Sequence, residues 1–139
     1  MNGISTISTG VPLTVYDFSV EFSFLPDVTG NPNLPRSQRS PNRWFDTSVF
    51  KTPDPNGDIG SLGRNTIRAP GLNNYDFGVF KRFPISERFG ALQFRAEFFN
   101  AFNHPIFGFP NYSFRSGSFG TITSAKEPRN IQLGVKYTW

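Results

Sequence analysis

The last twelve residues of the chain, Pro128–Trp139, read PRNIQLGVKYTW, and from Ile131 onward they alternate between apolar and polar. Successive side chains of an extended strand point to opposite faces, so one face receives the apolar set and the other the polar set. The apolar set is Ile131, Leu133, Val135, Tyr137 and Trp139. The polar set is Gln132, Gly134, Lys136 and Thr138. Asn130–Trp139 is therefore predicted to be a β-strand that ends on an aromatic residue, where most domains end in a frayed polar tail.

The composition is rich in aromatic residues and sparse in charge. The 139 residues include 17 Phe, 4 Tyr and 2 Trp, but only 22 Leu, Ile and Val together, and the net charge is +4. Soluble cores are dominated by aliphatic side chains, whereas aromatic rings are concentrated where a membrane meets water. No run approaches the roughly eighteen apolar residues of a transmembrane helix, and the absence of Cys excludes disulfides and thiolate metal sites. The composition therefore suggests a membrane interface without a membrane-spanning helix.

Three further segments carry the same alternation as the terminal strand. They are Thr14–Phe24, Asn74–Phe83 and Leu92–Phe102. The upstream stretch GISTIST is β-prone and could extend the first of them, and Phe80 and Lys81 break the alternation of the second. With the terminal segment, the sequence predicts about four strands and an all-β fold.

The segment Leu92–Phe102, LQFRAEFFNAF, is ambiguous by itself. As a strand it places Gln93, Arg95 and Glu97 on one face, and as a helix it gathers Phe94, Phe98 and Phe102 on one side. Its residues include good helix formers, so periodicity alone leaves both structures open. The neighbouring alternating segments favour the strand.

The connections between the predicted strands alternate in length. Residues 25–73 and 103–129 are long loops, and the first holds seven of the twelve prolines, whereas Pro84–Ala91 is short enough for a hairpin turn. Strands of about ten residues with short periplasmic turns and long extracellular loops are typical of outer-membrane barrels. The sequence therefore predicts an antiparallel meander that forms part of a transmembrane β-barrel, with the C-terminus in the periplasm.

The terminal aromatic residue fits this topology. A strand of a closed barrel pairs on both edges, because hydrocarbon offers no water to an unpaired backbone group. The last side chains of such a strand lie in the aromatic girdle at the membrane edge, where no tail is needed. Tyr137 and Trp139 resemble the C-terminal assembly signal of bacterial outer-membrane proteins, which implies the barrel-assembly machinery as a partner.

Longer phrases resemble a known family. Two segments carry the resemblance, GRNTIRAPGLNNYDFGVFKRFPISERFGALQFRAEFFNAFNHPIFGFPN (63–111) and FGTITSAKEPRNIQLGVKYTW (119–139), and GNPNLPRSQRSPNRWFDTSVF (30–50) is similar to the extracellular loop ahead of the last strands in the same family. They resemble the C-terminal end of TonB-dependent outer-membrane receptors of the Oar-like type. The resemblance implies an outer-membrane location and a barrel of about 22 strands around a plug domain, which imports a ligand with energy passed on by TonB.

The chain lacks several parts that this family carries. It shows no signal peptide, plug domain or TonB-contacting box, and four strands cannot close a large barrel. We therefore expect a fragment: the C-terminal portion of a receptor. Its partners would be outer-membrane lipid, the plug and the remaining strands of the parent chain, with TonB reached only through the missing N-terminal part.

Two groups of residues are candidates for a functional site. The polar strand faces carry the first group, which in a barrel would face the lumen: Arg82, Arg95, Glu97, Gln132 and Lys136. The second group is a local basic cluster next to Trp44 in the first long loop, formed by Arg36, Arg39 and Arg43. It could meet an anionic ligand or lipopolysaccharide, although a solvated loop face is the simpler interpretation.

Weaker signals favour neither a metal site nor an enzyme. Asp54, Asn56 and Asp58 have the alternate spacing of a calcium loop, but the required Gly and Glu are missing, so a turn is the better interpretation. His104 is the only histidine and has no Cys or second His to complete a ligand set. No Ser/His/Asp set, paired carboxylates or glycine-rich phosphate loop appears. We expect no catalytic residue, no metal and no cofactor.

Binding of single-stranded nucleic acid is an alternative function of a different class. Aromatic residues on a sheet face and a pI near 9.8 also suit a soluble binder of single-stranded nucleic acid, which stacks bases on its rings. Such a binder needs aromatic rings and basic residues on one surface. The strands instead place their charges on the face opposite the aromatic rings, so nucleic acid is not an expected partner.

Overall fold

The computed structural model describes residues 1–18, 25–54, 59–86 and 88–139, which form an all-β fold. Its eight strands are β1 (Asn2–Ser8), β2 (Pro12–Leu13), β3 (Asp27–Val28), β4 (Phe50–Lys51), β5 (Ile67–Arg68), β6 (Leu72–Ser86), β7 (Gly90–Phe99) and β8 (Asn130–Thr138). Two single-turn 3-10 helices complete the elements, Arg36–Gln38 and Thr47–Val49. The described residues include no helix that is long and apolar enough to cross a bilayer. The chain divides into two compact units.

The first unit comprises residues 1–8, 72–106 and 126–139 and is built on a four-stranded antiparallel sheet. The strand order is β1–β6–β7–β8, with Phe77 opposite Phe98 and Phe98 opposite Ile131. The predicted meander of the last three strands, in sequence order, is confirmed. The helical alternative for Leu92–Phe102 is wrong, because β7 runs as a strand to Phe99 and is followed by Asn100, which has a φ of 49°.

The first strand of this sheet was predicted in the wrong place. The strand beside β6 is β1, Asn2–Ser8, whereas Thr14–Phe18 contributes only an isolated bridge from Tyr16 to Ser113. Residues 19–24, the rest of the predicted strand, lie outside the described residues. Val15 and Asp17 are both almost completely buried in the second unit, which removes this segment from the sheet. The β-prone stretch upstream, rich in Thr and Ile, forms the strand by itself.

The turn between β6 and β7 is shorter than the predicted Pro84–Ala91. β6 continues to Ser86, and Gly90 already begins β7 with a φ of 72°. A β-bulge between Pro84 and Ser86 shifts the register by one residue, which is one of the few places where a strand tolerates a proline. The Phe89 amide donates to the Ser86 carbonyl oxygen at 3.2 Å and to the Ser86 hydroxyl at 3.0 Å. These bonds close a tight hairpin.

The second unit comprises residues 9–71 and 107–125, which are most of the two long connections. Proline content suggested little regular structure there, and the elements are short: the ladders β2–β5 and β3–β4 and the two 3-10 helices. The unit is nevertheless packed around its own core. That core consists of Val15, Phe45, Phe50, Leu62 and Ile67. Phe119 joins it with ring centroids 5.2 Å from Phe45 and 5.3 Å from Phe50.

Polar contacts within the second unit fix its two segments to each other. Arg115 Nε donates to both carboxylate oxygens of the buried Asp17 at 3.2 Å, and its Nη2 reaches the Thr52 hydroxyl at 3.1 Å.

Asp46 caps the helix Thr47–Val49 by accepting from the Ser48 hydroxyl at 2.7 Å and the Ser48 amide at 3.2 Å. The Ser48 hydroxyl is the main cause that lowers the pKa of Asp46 below its usual 3.8, with Arg43 adding a smaller effect.

Candidate membrane-spanning surface

One face of the sheet in the first unit is apolar across β6, β7 and β8. Residues directly opposite each other in an antiparallel ladder share a face, so the register fixes the rows. The rows are Phe83–Leu92–Tyr137, Lys81–Phe94–Val135, Val79–Ala96–Leu133 and Phe77–Phe98–Ile131. This surface, hereafter the apolar face, carries one charged side chain, Lys81, among the residues that these rows pair.

The apolar face is exposed. Leu133 is 80% exposed and Val135 63%, and every residue of β8 is classed as exposed. Burying a side chain of this kind is worth about 1.5–3 kcal/mol, so a row of them facing water is strongly unfavourable. Exposed contiguous apolar surface of this kind indicates a membrane or a partner.

The opposite face of the sheet holds all five residues predicted to share the polar strand faces. The rows that contain them are Arg82–Gln93–Lys136, Phe80–Arg95–Gly134 and Gly78–Glu97–Gln132. Arg95 Nη2 lies 3.4 Å from a Glu97 carboxylate oxygen, and the Arg95 guanidinium lies 5.2 Å from the Phe80 ring centroid. The polar face therefore brings together a mixed set of cations, a carboxylate and amides.

Phe80 and Lys81 each lie on the face of the sheet opposite to the one that their polarity would suggest. Phe80 lies on the polar face, where the Arg95 guanidinium contacts its ring. Lys81 lies on the apolar face opposite Phe94, and its ammonium is 5.7 Å from the Phe83 ring centroid. Each residue thus finds an aromatic–cation contact that partly offsets its unusual position.

The two aromatic residues at the C-terminus lie together at the hairpin end of the sheet. Their ring centroids are 5.8 Å apart, and the Tyr137 hydroxyl donates to the Phe89 carbonyl oxygen at 2.7 Å. Trp139 is 91% exposed. An apolar ring with its polar end tied to backbone at the edge of an apolar face is the arrangement of an aromatic girdle.

Asn100 is a structural residue that the sequence analysis missed. It is buried, its Nδ2 donates to the His104 carbonyl oxygen, and its Oδ1 accepts from the His104 amide, both at 2.9 Å. The backbone N–H of Asn100 donates to an Asp76 carboxylate oxygen at 2.9 Å. Asn100 lies inside the predicted strand Leu92–Phe102, and an Asn there is a signal for an earlier end of the strand, because Asn adopts positive φ more readily than most non-Gly residues. The motif NAFNH therefore closes β7 with a corner.

The same corner accounts for the single histidine. The His104 ring packs against Phe102 and Tyr75, with centroid distances of 6.0 Å and 6.4 Å. The Phe102 ring also meets the Tyr75 ring edge-on at 5.2 Å. His104 thus contributes aromatic packing beside the end of β7.

The basic cluster of the second unit is divided among separate contacts. Arg39 Nε donates to the Leu34 carbonyl oxygen at 2.8 Å, and its guanidinium lies 5.7 Å from the Trp44 ring centroid. Arg43 pairs with Asp46 at 3.2 Å. Arg36 lies in the first 3-10 helix. Two of the three arginines are therefore already engaged, which favours a structured loop surface over a convergent anion site.

The candidate calcium loop lies mostly outside the described residues. Asn56 and Asp58 fall in the stretch 55–58, and only Asp54 is described. Within the described part of the chain, no group of three or more His, Cys, Asp and Glu side chains could hold a metal ion.

An exposed apolar face, a polar face behind it and an aromatic edge at the hairpin end are together the features of a β-sheet protein that meets a membrane. The outer membrane beta barrel domain matches residues 1–132, and the chain belongs to that family. The match includes β1, and the family places the protein in the outer membrane. No curated protein and no solved structure matches the chain significantly.

Proposed function

We propose that the chain is the C-terminal barrel segment of a TonB-dependent transporter of the Oar-like type and contributes to ligand uptake across the outer membrane. The observation that carries the proposal is the order of connections around β8. A long connection enters β6, a tight hairpin joins β6 to β7, and a second long connection leads into β8, which carries Tyr137 near its end and is followed by Trp139. The phrases shared with that receptor group support the transporter type.

The direction of the strands supports the assignment of sides. Because β1, β6, β7 and β8 are antiparallel, both long connections leave the sheet at one end and the hairpin at the other. With short turns on the periplasmic side, residues 9–71 and 107–125 belong to extracellular loops. The core of Phe45, Phe50 and Ile67 makes these loops a preorganised surface, which suits ligand capture more than a flexible linker does.

The polar face is assigned to the lumen of the barrel. Arg82, Arg95 and Lys136 place three cations there, with Glu97 and Gln132 between them. A plug domain inside the barrel would meet these side chains, and mutual pairing such as Arg95–Glu97 accounts for part of them. The proposed role is non-enzymatic, so these residues contact the plug and the passing ligand without performing chemistry.

The sheet has two edges that need partners. β1 and β8 are the outer strands, and an unpaired strand edge is not tolerated in hydrocarbon. Further strands of the parent barrel would pair with both edges, and the barrel-assembly machinery would join them. TonB would act through the N-terminal part of the parent receptor.

Energy dependence of uptake tests the transporter type. Cells that express the receptor containing this segment should import its ligand only while TonB and the proton-motive force are intact. A matched strain lacking TonB should still bind ligand at the surface. Uptake that continues unchanged without TonB would contradict the TonB-dependent assignment and leave a passive barrel.

A nucleic-acid-binding function is less well supported. Base stacking needs aromatic rings and cations on one surface, but the register places Phe77, Phe83 and Phe94 opposite the face of Arg82 and Arg95. Among the described residues of β6 and β7, Phe80, which contacts Arg95, and Phe99, which pairs with Asn130, are the exceptions on the polar face.

A further inference from the structure

A shallow groove of about 410 Å³ crosses the apolar face. It is lined by residues of two neighbouring rows, Val79–Ala96–Leu133 and Lys81–Phe94–Val135, together with Arg95 and Gly134, which lie between these rows along β7 and β8. The small side chain of Ala96 in the middle strand, between Val79 and Leu133, creates the depression. A partly open apolar groove on a membrane-facing surface fits a hydrocarbon chain.

Lys81 gives one end of this groove a positive charge. No carboxylate lies on the apolar face among the residues that the β6–β7 and β7–β8 ladders pair, so the protein supplies no anion to this ammonium there. The ammonium lies beside Phe83, which is two residues nearer the hairpin. The side chain therefore points along the face toward the aromatic edge formed by Phe83 and Tyr137.

The ammonium of Lys81 can reach the depth of a lipid headgroup. The row of Lys81 is one same-face step inward from the Phe83 row, which is about 6–7 Å along the strand. A strand tilted by about 35–45° reduces this to about 5 Å along the membrane normal. A Lys side chain spans that depth and reaches the interface by snorkelling. Its natural counter-ion at the interface is the phosphate of a lipid.

We propose that the groove and Lys81 form a binding site for one anionic phospholipid, with an acyl chain in the groove and the headgroup phosphate on the Lys81 ammonium. The inference rests on the proposed function, because it takes the apolar face to meet lipid and the hairpin end to lie at the periplasmic leaflet. Lipids of that leaflet reach the groove from the membrane itself, so the site needs no opening in the barrel.

Competition between two lipids with identical acyl chains tests the site. The full chain is refolded in nonionic detergent micelles that contain equal amounts of phosphatidylglycerol and phosphatidylcholine, and the lipids retained are measured by native mass spectrometry. The wild-type chain should retain phosphatidylglycerol preferentially. Lys81→Gln should lower that preference about fivefold, the change that corresponds to about 1 kcal/mol for a Lys near an anionic surface.

Matched variants separate the charge from the groove. Lys136→Gln removes a cation from the opposite face of the same sheet and should leave the preference unchanged. Lys81→Arg should retain it. Ala96→Phe fills the groove while keeping Lys81 and should lower the amount of both lipids retained. An unchanged preference in Lys81→Gln, or an equal loss in Lys136→Gln, would overturn the site.

A parallel flotation assay distinguishes failure of the site from failure of the proposed function. Wild-type chain and Lys81→Gln are mixed with vesicles of phosphatidylcholine and phosphatidylglycerol, and the floated fraction is measured. Flotation of both chains, combined with equal lipid preference of the two chains in the native mass spectrometry, would overturn the lipid site alone. Absence of flotation for the wild-type chain would overturn the membrane-facing assignment together with the site.

Discussion

Gly90 and Asn100 are the two residues on which the ends of β7 depend. Gly90 begins the strand with a φ of 72°, and Asn100 follows its last residue with a φ of 49°. Both values lie in the left-handed region, where a residue with a Cβ is strained by about 1–2 kcal/mol. The two residues thus set where the central strand of the meander starts and stops.

Substituting Gly90 is expected to destabilise the sheet. A Cβ on Gly90 would collide with the Thr138 carbonyl oxygen of β8, in addition to the cost of its positive φ. Gly90→Ala should lower the free energy of unfolding by about 2–4 kcal/mol, measured by urea titration in detergent. Gly134→Ala is the control, because the nearest atom to its new Cβ is Arg95 Cβ at 3.9 Å. Equal effects of the two variants would contradict the close approach at Gly90.

Two substitutions of Asn100 separate the backbone from the side chain. Asn100→Gly keeps access to a positive φ but loses both hydrogen bonds to His104, for an expected loss of about 1–3 kcal/mol. Asn100→Ala loses the bonds and adds backbone strain, so it should cost about 1 kcal/mol more. Urea titration gives both values. A larger loss of unfolding free energy in Asn100→Gly than in Asn100→Ala would show that the positive φ does not determine the stability of this corner.

The strands differ in how clearly the sequence pattern predicts them. β6, β7 and β8 were predicted because their apolar residues fall on one face, as the rows through Phe77, Phe98 and Ile131 show. β1 was expected only as an extension of Thr14–Phe24, because its two isoleucines, Ile4 and Ile7, fall on opposite faces and leave no alternation. Long-range pairing with β6 decides its structure, and no local pattern encodes that pairing.

The packed loop unit was likewise beyond sequence reasoning. Val15, Phe45 and Leu62 belong to one core but are separated by tens of residues without periodicity. Asp17 gave no local sign that it would pair with Arg115, nearly a hundred residues away. The five polar-face residues, in contrast, followed directly from alternation, although whether they face a lumen stays a prediction.

The terminal strand is predicted to serve assembly rather than ligand recognition. Tyr137 and Trp139 lie at the hairpin end, far along β8 from Asn130, where the long connection arrives. Deleting Trp139 in the intact receptor should lower the amount that reaches the cell surface and leave ligand affinity per receptor unchanged. Surface labelling and ligand binding are measured separately. Normal surface levels with weakened binding would contradict the assembly role.

The helix Thr47–Val49 is predicted to lose stability in acid. The pKa of Asp46 is lowered in the folded state, so its contribution is fully present above about 3.8 and is lost as the pH falls through the lower folded value. The near-ultraviolet circular dichroism signal of the wild-type chain should therefore decrease on acidification. The decrease should be smaller in Asp46→Asn, because this variant keeps a capping side chain without a charge. Identical acid profiles would contradict a role for the Asp46 carboxylate.

The chain as a whole places its buried core in the loop unit and leaves the sheet of the other unit exposed on its apolar face. This is the reverse of a soluble sheet protein, which covers such a face with other elements. We expect the chain to aggregate without detergent, because open sheet edges add to the exposed apolar surface. A monodisperse, detergent-free monomer in sedimentation would contradict this expectation.

The apolar face is expected to meet lipid and the opposite face water, and the absence of Cys allows this to be tested one position at a time. Single Cys residues from Ile131 to Thr138 carry a spin label in the full chain reconstituted into vesicles, and electron paramagnetic resonance measures collisions with oxygen and with a water-soluble nickel complex. Oxygen access should peak at positions 131, 133, 135 and 137, and nickel access at 132, 134, 136 and 138. Uniform access to the nickel complex along β8 would contradict the account.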